Sequence, residues 1–183
     1  MSNSSGEPAA VEASMYGPDA RMANGGDSRQ QRAGLIDAWW PVVMGVGVIA
    51  LESTPWGGAD HTSGPLRAIY QFFFGPISAA HWEPIHHLIR KSGHFLGYGF
   101  LCLTWLRAWR LTFPGFRYFK DAALALLGTA IVASSDELHQ HFLKNRGSSP
   151  WDVLLDCIGA ATMTLLAWVV LRIFRPGMLR ENS

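Results

Sequence analysis

Four long apolar segments constrain the fold of this chain more than any other feature. They are Leu35–Leu51, Gly93–Leu106, Phe119–Ser135 and Trp151–Phe174. An α-helix needs roughly 20 mostly apolar residues to cross a bilayer, and the short second segment reaches that length if its flanking lysine and arginine extend to the interfaces. The apolar run from Ala122 to Ala133 lacks the polar stripe of a soluble bundle helix. The sequence therefore predicts an all-α, polytopic membrane protein with four transmembrane helices.

The polar flanks of the apolar region set the expected domain limits. Residues 1–34 are rich in Ser, Gly, Ala and Pro, which is typical of disorder, and residues 177–183 form a short polar tail. One membrane domain is expected over residues 35–176. Within its first outer loop, Pro65–Gly75 and Trp82–Ile89 are aromatic and apolar. We expect each to form a short helix lying at the membrane interface.

The distribution of basic residues predicts the orientation of the chain. With four alternating spans, ten of the 15 Lys and Arg residues fall on the side of the two termini and five on the other. Because positive charge marks the cytoplasmic side, both termini of this multi-pass protein are expected in the cytoplasm, with the chain in the inner or plasma membrane of the cell. All seven histidines then lie on the outer side.

Polar residues that are unusual for membrane helices gather at the outer ends of the last three spans. On the second span, Lys91, His94 and Tyr98 have the spacing of one helix face. On the same span, Gly93 and Gly97 form a G-x-x-x-G pair, which should let another helix come close.

The fourth span begins with two acidic residues that differ in what they require. Asp152 is placed to cap the helix and favour its dipole. Asp156 lies one turn deeper, where an ionised group is costly unless it is paired. The candidate partners of Asp156 are Lys91, Arg146 and His94.

These side chains share one depth, which predicts a polar pocket that opens outward. Arg and Lys in such a pocket can bind phosphate or carboxylate groups, and His and Glu can move protons. The residues proposed for acid–base chemistry are His94, Asp136 and Glu137. The residues proposed for ligand binding are Lys91, Tyr98, Gln140, Arg146, Asp152 and Asp156. No H-E-x-x-H pattern occurs, so we expect no metal and no cofactor.

The motifs Lys91-x-x-His94-x-x-x-Tyr98, Asp136-Glu137-x-x-Gln140 and Arg146-Gly147-x-x-x-x-Asp152, followed by Gly159, resemble the VanZ-like family of small bacterial membrane proteins. The resemblance covers roughly residues 40–170; at Asp156 the family pattern more often has Asn. It implies a polytopic protein of the cell envelope. The family's namesake is associated with low-level resistance to the glycopeptide antibiotic teicoplanin.

Three functional interpretations stay open at this point. The chain is a binding or structural protein that holds a lipid or lipid-linked anionic head group, or an intramembrane enzyme acting on a lipid-linked envelope substrate by acid–base chemistry. A small transporter is the third, although four helices are few and no broken-helix pair is evident. Membrane lipids or a lipid-linked precursor are the expected partners. Nucleic acid is not, because no basic stripe with interleaved aromatics occurs. The sequence does not determine the oligomeric state.

Overall fold

The computed structural model describes residues 18–54, 59–114, 117–143 and 149–174, with side chains from Gly34 onward apart from those of residues 59 and 60. These ranges form helices joined by short connections, and they contain no strand. The helices are α1 (Pro18–Glu52), α2 (Ala59–Phe74), α3 (Ala79–Thr112), α4 (Tyr118–His141) and α5 (Pro150–Phe174). The prediction of an all-α chain is confirmed.

The chain divides into two compact units, Met1–Asp37 and Ala38–Ser183. The first unit contains the start of α1 at Pro18, so part of the predicted disordered tail 1–34 is helical. Ala, Arg, Met and Gln in this stretch favour helix, and proline suits the first helical position. Residues 1–17 and the C-terminal tail 177–183 lie outside the described residues.

Two helices of the described chain are long and apolar enough to cross a membrane. They are Gly34–Glu52 of α1, with a mean hydropathy of 1.7, and α5, with a mean hydropathy of 2.0. Only 17% and 22% of these windows are buried inside the protein, whereas a core helix of a soluble protein is mostly buried. The predicted total of four spans is not confirmed, because α3 and α4 carry more charged and polar residues.

The first connection differs from the prediction of two short helices. Pro65–Gly75 falls largely within α2, but Trp82–Ile89 is not a separate helix, because it forms the early turns of α3. The residues that follow it, Arg-Lys-Ser-Gly, include no proline that would break a helix. At 1.5 Å per residue, the 34 residues of α3 extend about 51 Å, well beyond the roughly 30 Å hydrocarbon core of a bilayer.

The centre of the larger unit is α3, which contacts α5, α4 and α2, while α4 also contacts α5. The interior positions of α4 and α5 are small or polar. They include Ala122, Ala125, Thr129, Ala133, Gly159, Ala160 and Thr164. Large apolar side chains such as Leu127, Ile131 and Leu165 are exposed instead. Small residues inside and large apolar residues outside are typical of helices that pack in lipid.

The helix α1 approaches the others less closely and is held by large side chains. The ring of Trp39 meets Trp105 and Trp109 edge to face, with ring centroids 5.5 and 5.0 Å away. Its indole nitrogen donates to the hydroxyl of Thr112 at 2.9 Å. Since these contacts are near one end of α3, they leave space between α1 and α3 towards the other end.

Candidate functional site

One face of α3 borders a cavity that is partly open to the surroundings of the protein. Arg90, Gly93, His94, Gly97 and Tyr98 lie on this face and line the cavity. Their spacing of i, i+3, i+4, i+7 and i+8 is that of one side of an α-helix. A neighbouring face of the same helix packs against α5. The helix α3 therefore connects the cavity to the polar residues of α5.

Glycine allows α3 and α5 to approach closely. A Cβ atom at Gly159 would overlap the backbone carbonyl group of Phe95. A Cβ atom at Gly99 would lie 2.6 Å from Cγ of Met163. Because a backbone carbonyl cannot rotate away as a side chain can, this contact fixes the separation of the two helices. The separation in turn determines which polar side chains of α3 and α5 meet.

The cavity has a volume of about 420 Å³ and lies between α1, α2, α3 and α4. Small-molecule sites usually measure ~300–1,000 Å³. Its polar lining, which we call the polar end, consists of Glu52, Ser53, Thr62, Arg90, His94, Tyr98, Asp136 and Gln140. Its apolar or small lining consists of Gly45, Val48, Ile49, Leu66, Ile89, Gly93, Gly97, Phe100 and Leu101, with Thr104 further along. The cavity is therefore amphipathic.

Two glycines of α3 widen this cavity. A Cβ atom at Gly93 or Gly97 would meet nothing within 4 Å. The prediction that this G-x-x-x-G pair admits another helix is therefore wrong, because the close helix contact uses Gly99 and Gly159. From Arg90 to Thr104 the cavity follows α3 for 14 residues, or about 21 Å. That length suits an extended chain more than a compact solute.

A hydrogen-bonded carboxylate stands at the polar end. The Tyr98 hydroxyl donates to Oδ2 of Asp136 at 2.9 Å, and the Gln140 amide donates to the same oxygen at 3.0 Å. The other oxygen, Oδ1, is buried and has no hydrogen-bond partner among the described residues, which is costly for an acceptor. The Asp136 side chain itself belongs to the cavity lining.

His94 connects the cavity to α5. Its Nδ1 atom lies 3.6 Å from Oδ1 of Asp156, whose side chain is 4% exposed. Of the two candidate partners that the structure describes, Lys91 and His94, His94 is therefore the one at ion-pair distance. The His94 ring also stacks on the ring of Tyr98, with centroids 6.1 Å apart. These contacts hold the imidazole between a buried carboxylate and the cavity.

The remaining predicted residues that the structure describes are not part of the cavity lining. Lys91 forms an ion pair with Asp152, which joins α3 to α5, and both side chains are partly exposed. Glu137 accepts the backbone N–H of Ser149, just before α5 begins. These contacts join the start of α5 to α3 and to the last turns of α4. Arg146 lies outside the described residues.

The structure adds polar residues that the sequence analysis did not select. The main one is Arg90, which lines the cavity and makes no ion pair with any described carboxylate. Its spacing to Gly93 and Gly97 could have identified it, because all three fall on one helix face. Ser53 joins the polar end from α1, and its hydroxyl lies 2.9 Å from Nδ1 of His139. That contact depends on tertiary structure alone.

The polar end can form charge-assisted hydrogen bonds and can exchange protons. Arg90 offers guanidinium donors and Asp136 offers an acceptor. His94 can donate or accept a hydrogen bond. The predicted absence of a metal remains a prediction. Within the described ranges, no three His, Cys, Asp or Glu side chains are grouped so that they could hold a metal ion.

The apolar helices, the exposed apolar surface and the amphipathic cavity together define a helical protein with the character of a membrane protein. Comparison with protein families identifies it more closely. The model described as VanZ/LLP1 matches residues 41–173, so the chain belongs to the VanZ family. No curated protein and no solved structure matches the chain.

Proposed function

We propose that this VanZ-family protein binds one membrane lipid or lipid-linked envelope precursor in the cavity. The observation that carries the proposal is the amphipathic lining. Polar side chains gather at one end, while apolar side chains and two open glycines extend along α1 and α3. A head group would occupy the polar end, and part of its chain would follow α3 for up to about 21 Å. Contacts of the head group with the polar end would supply most of the affinity, because a lipid chain that moves from the bilayer into the cavity gains little from apolar burial.

The head group would be anionic and would also carry hydrogen-bond donors. Arg90 is a cation that no described carboxylate neutralises, and guanidinium binds phosphate or carboxylate groups well. Asp136 lines the same cavity and would accept a hydrogen bond from a donor such as a hydroxyl group. A phosphate next to a hydroxyl-bearing group satisfies both requirements.

We also propose the four-span topology, with both termini in the cytoplasm and the polar end facing outward. The length of α3, about 51 Å, and the 24 residues of α4 are sufficient to span. The exposed apolar side chains of α4 support the same placement. The charged residues of α3 would then lie near the two interfaces, where long side chains reach water.

The direct test is to fill the cavity. Gly97→Leu places a side chain into open space within it, and Gly47→Leu makes the same change in open space on α1 outside the lining. Each variant is purified in mild detergent, and its bound lipid is measured by native mass spectrometry and extraction. We expect lipid on wild type and Gly47→Leu and loss from Gly97→Leu. Equal lipid on all three would contradict the proposal.

A second candidate is an intramembrane enzyme that acts on a lipid-linked substrate. The observation that favours it is the presence of two groups able to exchange protons, His94 and Asp136, in the lining of one cavity. Glu137, the third residue proposed for this chemistry, accepts a backbone hydrogen bond instead. Mass analysis of the lipid before and after incubation distinguishes binding from turnover. An unchanged lipid would count against the enzyme.

A link to teicoplanin resistance rests on the family resemblance. Binding of a lipid-linked precursor in the cavity would provide a physical mechanism for it. Binding a lipid-linked precursor would change how much of that precursor is available at the outer surface. Expression of wild type in a susceptible host should then raise the inhibitory concentration of teicoplanin, and expression of Gly97→Leu should not. The same increase in inhibitory concentration with wild type and Gly97→Leu would show that resistance does not depend on the cavity.

A further inference from the structure

The contact between His94 and Asp156 contains two buried polar atoms with no other partner among the described residues. Within those residues neither Nδ1 of His94 nor Oδ1 of Asp156 makes a hydrogen bond, although both atoms are fully buried and they lie 3.6 Å apart. This distance is within ion-pair range but slightly beyond a hydrogen bond. Two orphaned polar groups facing each other inside a protein are costly, so their retention requires an explanation.

Among the residues that the structure describes, no other charged group lies at ion-pair distance from Asp156. Lys91, the nearest predicted cation, is engaged with Asp152 one turn away. The charged residues around the imidazole are Arg90 on α3, Asp136 on α4 and Asp156 on α5, and Glu52 of α1 lines the same cavity. Among these, Asp156 alone faces Nδ1 at ion-pair distance.

The two ring nitrogens of His94 face different surroundings. Nδ1 is buried against Asp156, while the ring borders the cavity. Because Nε2 lies on the opposite side of the imidazole from Cγ and away from Nδ1, it is the nitrogen that a ligand in the cavity would meet. A carboxylate beside one nitrogen fixes the proton there and leaves the other as a base.

We infer that His94 is the acid–base group of the cavity and that Asp156 is its positioning residue. The inference rests on the proposed function, because it needs a head group in the polar end. A hydroxyl or acidic proton of the head group passes to Nε2 of His94, which becomes an imidazolium. The Asp156 carboxylate stabilises that cation, and the proton returns when the ligand leaves or reacts. No other reactant is required.

The packing of α3 and α5 supports this role. Acid–base geometry must be held closely, and Gly99 and Gly159 fix the distance between the two helices that carry the pair. The Tyr98 ring stacks on the imidazole from the same helix. The contact of 3.6 Å would shorten when a ligand enters, as catalytic hydrogen bonds often do.

The tautomer of His94 tests the inference. Full-length protein labelled with ¹⁵N-histidine is placed in nanodiscs of phosphatidylethanolamine and phosphatidylglycerol, at a pH at which the ring is neutral. His94→Gln identifies the resonances. We expect the proton on Nδ1 and an unprotonated Nε2. Asp156→Leu should shift the proton to Nε2, which free imidazole side chains prefer, and Asp156→Asn should keep it on Nδ1 because its amide oxygen still accepts.

Asp152→Asn is the matched control, since it changes an acidic residue on the same helix that faces Lys91 instead. It should leave the His94 resonances unshifted. A proton on Nε2 in wild type would overturn the inference without any variant, even if Asp156→Leu does not fold. So would resonances that do not respond to Asp156→Leu.

Lipid extracted from the same samples separates this inference from the proposed function. Bound lipid together with the wrong tautomer would overturn the acid–base role and leave lipid binding in place. Absence of lipid from every sample, including wild type, would overturn both, because the proton transfer needs a head group. Bound lipid with an Nδ1 proton that depends on position 156 is the result we expect.

Discussion

At the residue scale, the two adjacent cations of α3 have different surroundings. The sequence pattern indicated only one of them as a candidate site residue. Lys91 is neutralised by Asp152, whereas Arg90 lines the cavity without a described carboxylate partner. Neighbouring residues on a helix point about 100° apart, so one faces α5 and the other faces the cavity. The sequence shows which residues share a face of α3, but it does not show which of these faces borders the cavity.

This difference predicts opposite effects of one substitution at two neighbouring positions. Arg90→Gln should lower lipid affinity by about tenfold or more, because a charge-assisted hydrogen bond contributes roughly 1.5–3 kcal/mol. Lys91→Gln should leave lipid affinity near that of wild type. Lipid titration into delipidated protein, followed by native mass spectrometry, measures both. A larger loss of lipid affinity with Lys91→Gln than with Arg90→Gln would show that the wrong cation has been assigned to the head group.

The hydroxyl of Tyr98 should stabilise the fold through Asp136. Tyr98→Phe removes one of the two donors to a partly buried carboxylate, which should cost about 1–3 kcal/mol. Tyr70→Phe is the control, because the Tyr70 hydroxyl makes no hydrogen bond to the described chain while its ring packs on Trp82. Unfolding in detergent compares the two variants. Equal stability would indicate that Asp136 does not depend on this donor.

At the element scale, the close contact of α3 with α5 holds the site together. Gly159 faces the backbone of Phe95, and small residues such as Ala160 and Thr164 continue along the same helix. In lipid, such contacts are stabilised by packing, since apolar burial gains little between membrane helices. The sequence contains several glycines, but their spacing alone does not show which of them lie where two helices make close contact.

A single methyl group should therefore be costly at Gly159. Gly159→Ala would force α3 and α5 apart, and overpacking of this kind costs about 1–3 kcal/mol. It should also separate His94 from Asp156 and shift the His94 tautomer. Gly47→Ala, in open space on α1, should be neutral or stabilise the helix by up to about 1 kcal/mol. An unfolding midpoint for Gly159→Ala equal to that of wild type would contradict the close contact.

At the scale of the whole molecule, the number of spans determines which ends of the helices share a side of the membrane. Two helices meet the length and hydropathy requirement, while α3 and α4 carry buried polar groups such as His86 on α3 and Asp121 on α4. Average hydropathy counts these groups as if they faced lipid. Because they face other helices, the composition of α3 and α4 understates how apolar their outer surfaces are.

Reporter fusions distinguish four spans from two. With four spans, a fusion after Thr54 lies outside and a fusion after Pro114 lies in the cytoplasm. With only α1 and α5 spanning, both positions lie on the same side. We expect alkaline phosphatase to be active after Thr54 and green fluorescent protein to be fluorescent after Pro114 and at the C-terminus. Phosphatase activity at both internal positions would contradict the four-span topology.

The sequence by itself determined where most helices lie and that their polar residues collect towards one end. This was possible because helix hydrogen bonds are local and the length of an apolar run is readable. Only the tertiary structure decided that Arg90 borders a cavity, that Asp156 faces His94, and that Gly93 and Gly97 lie in open space. These outcomes depend on the distances between helices, which are set by side-chain contacts between residues far apart in the chain.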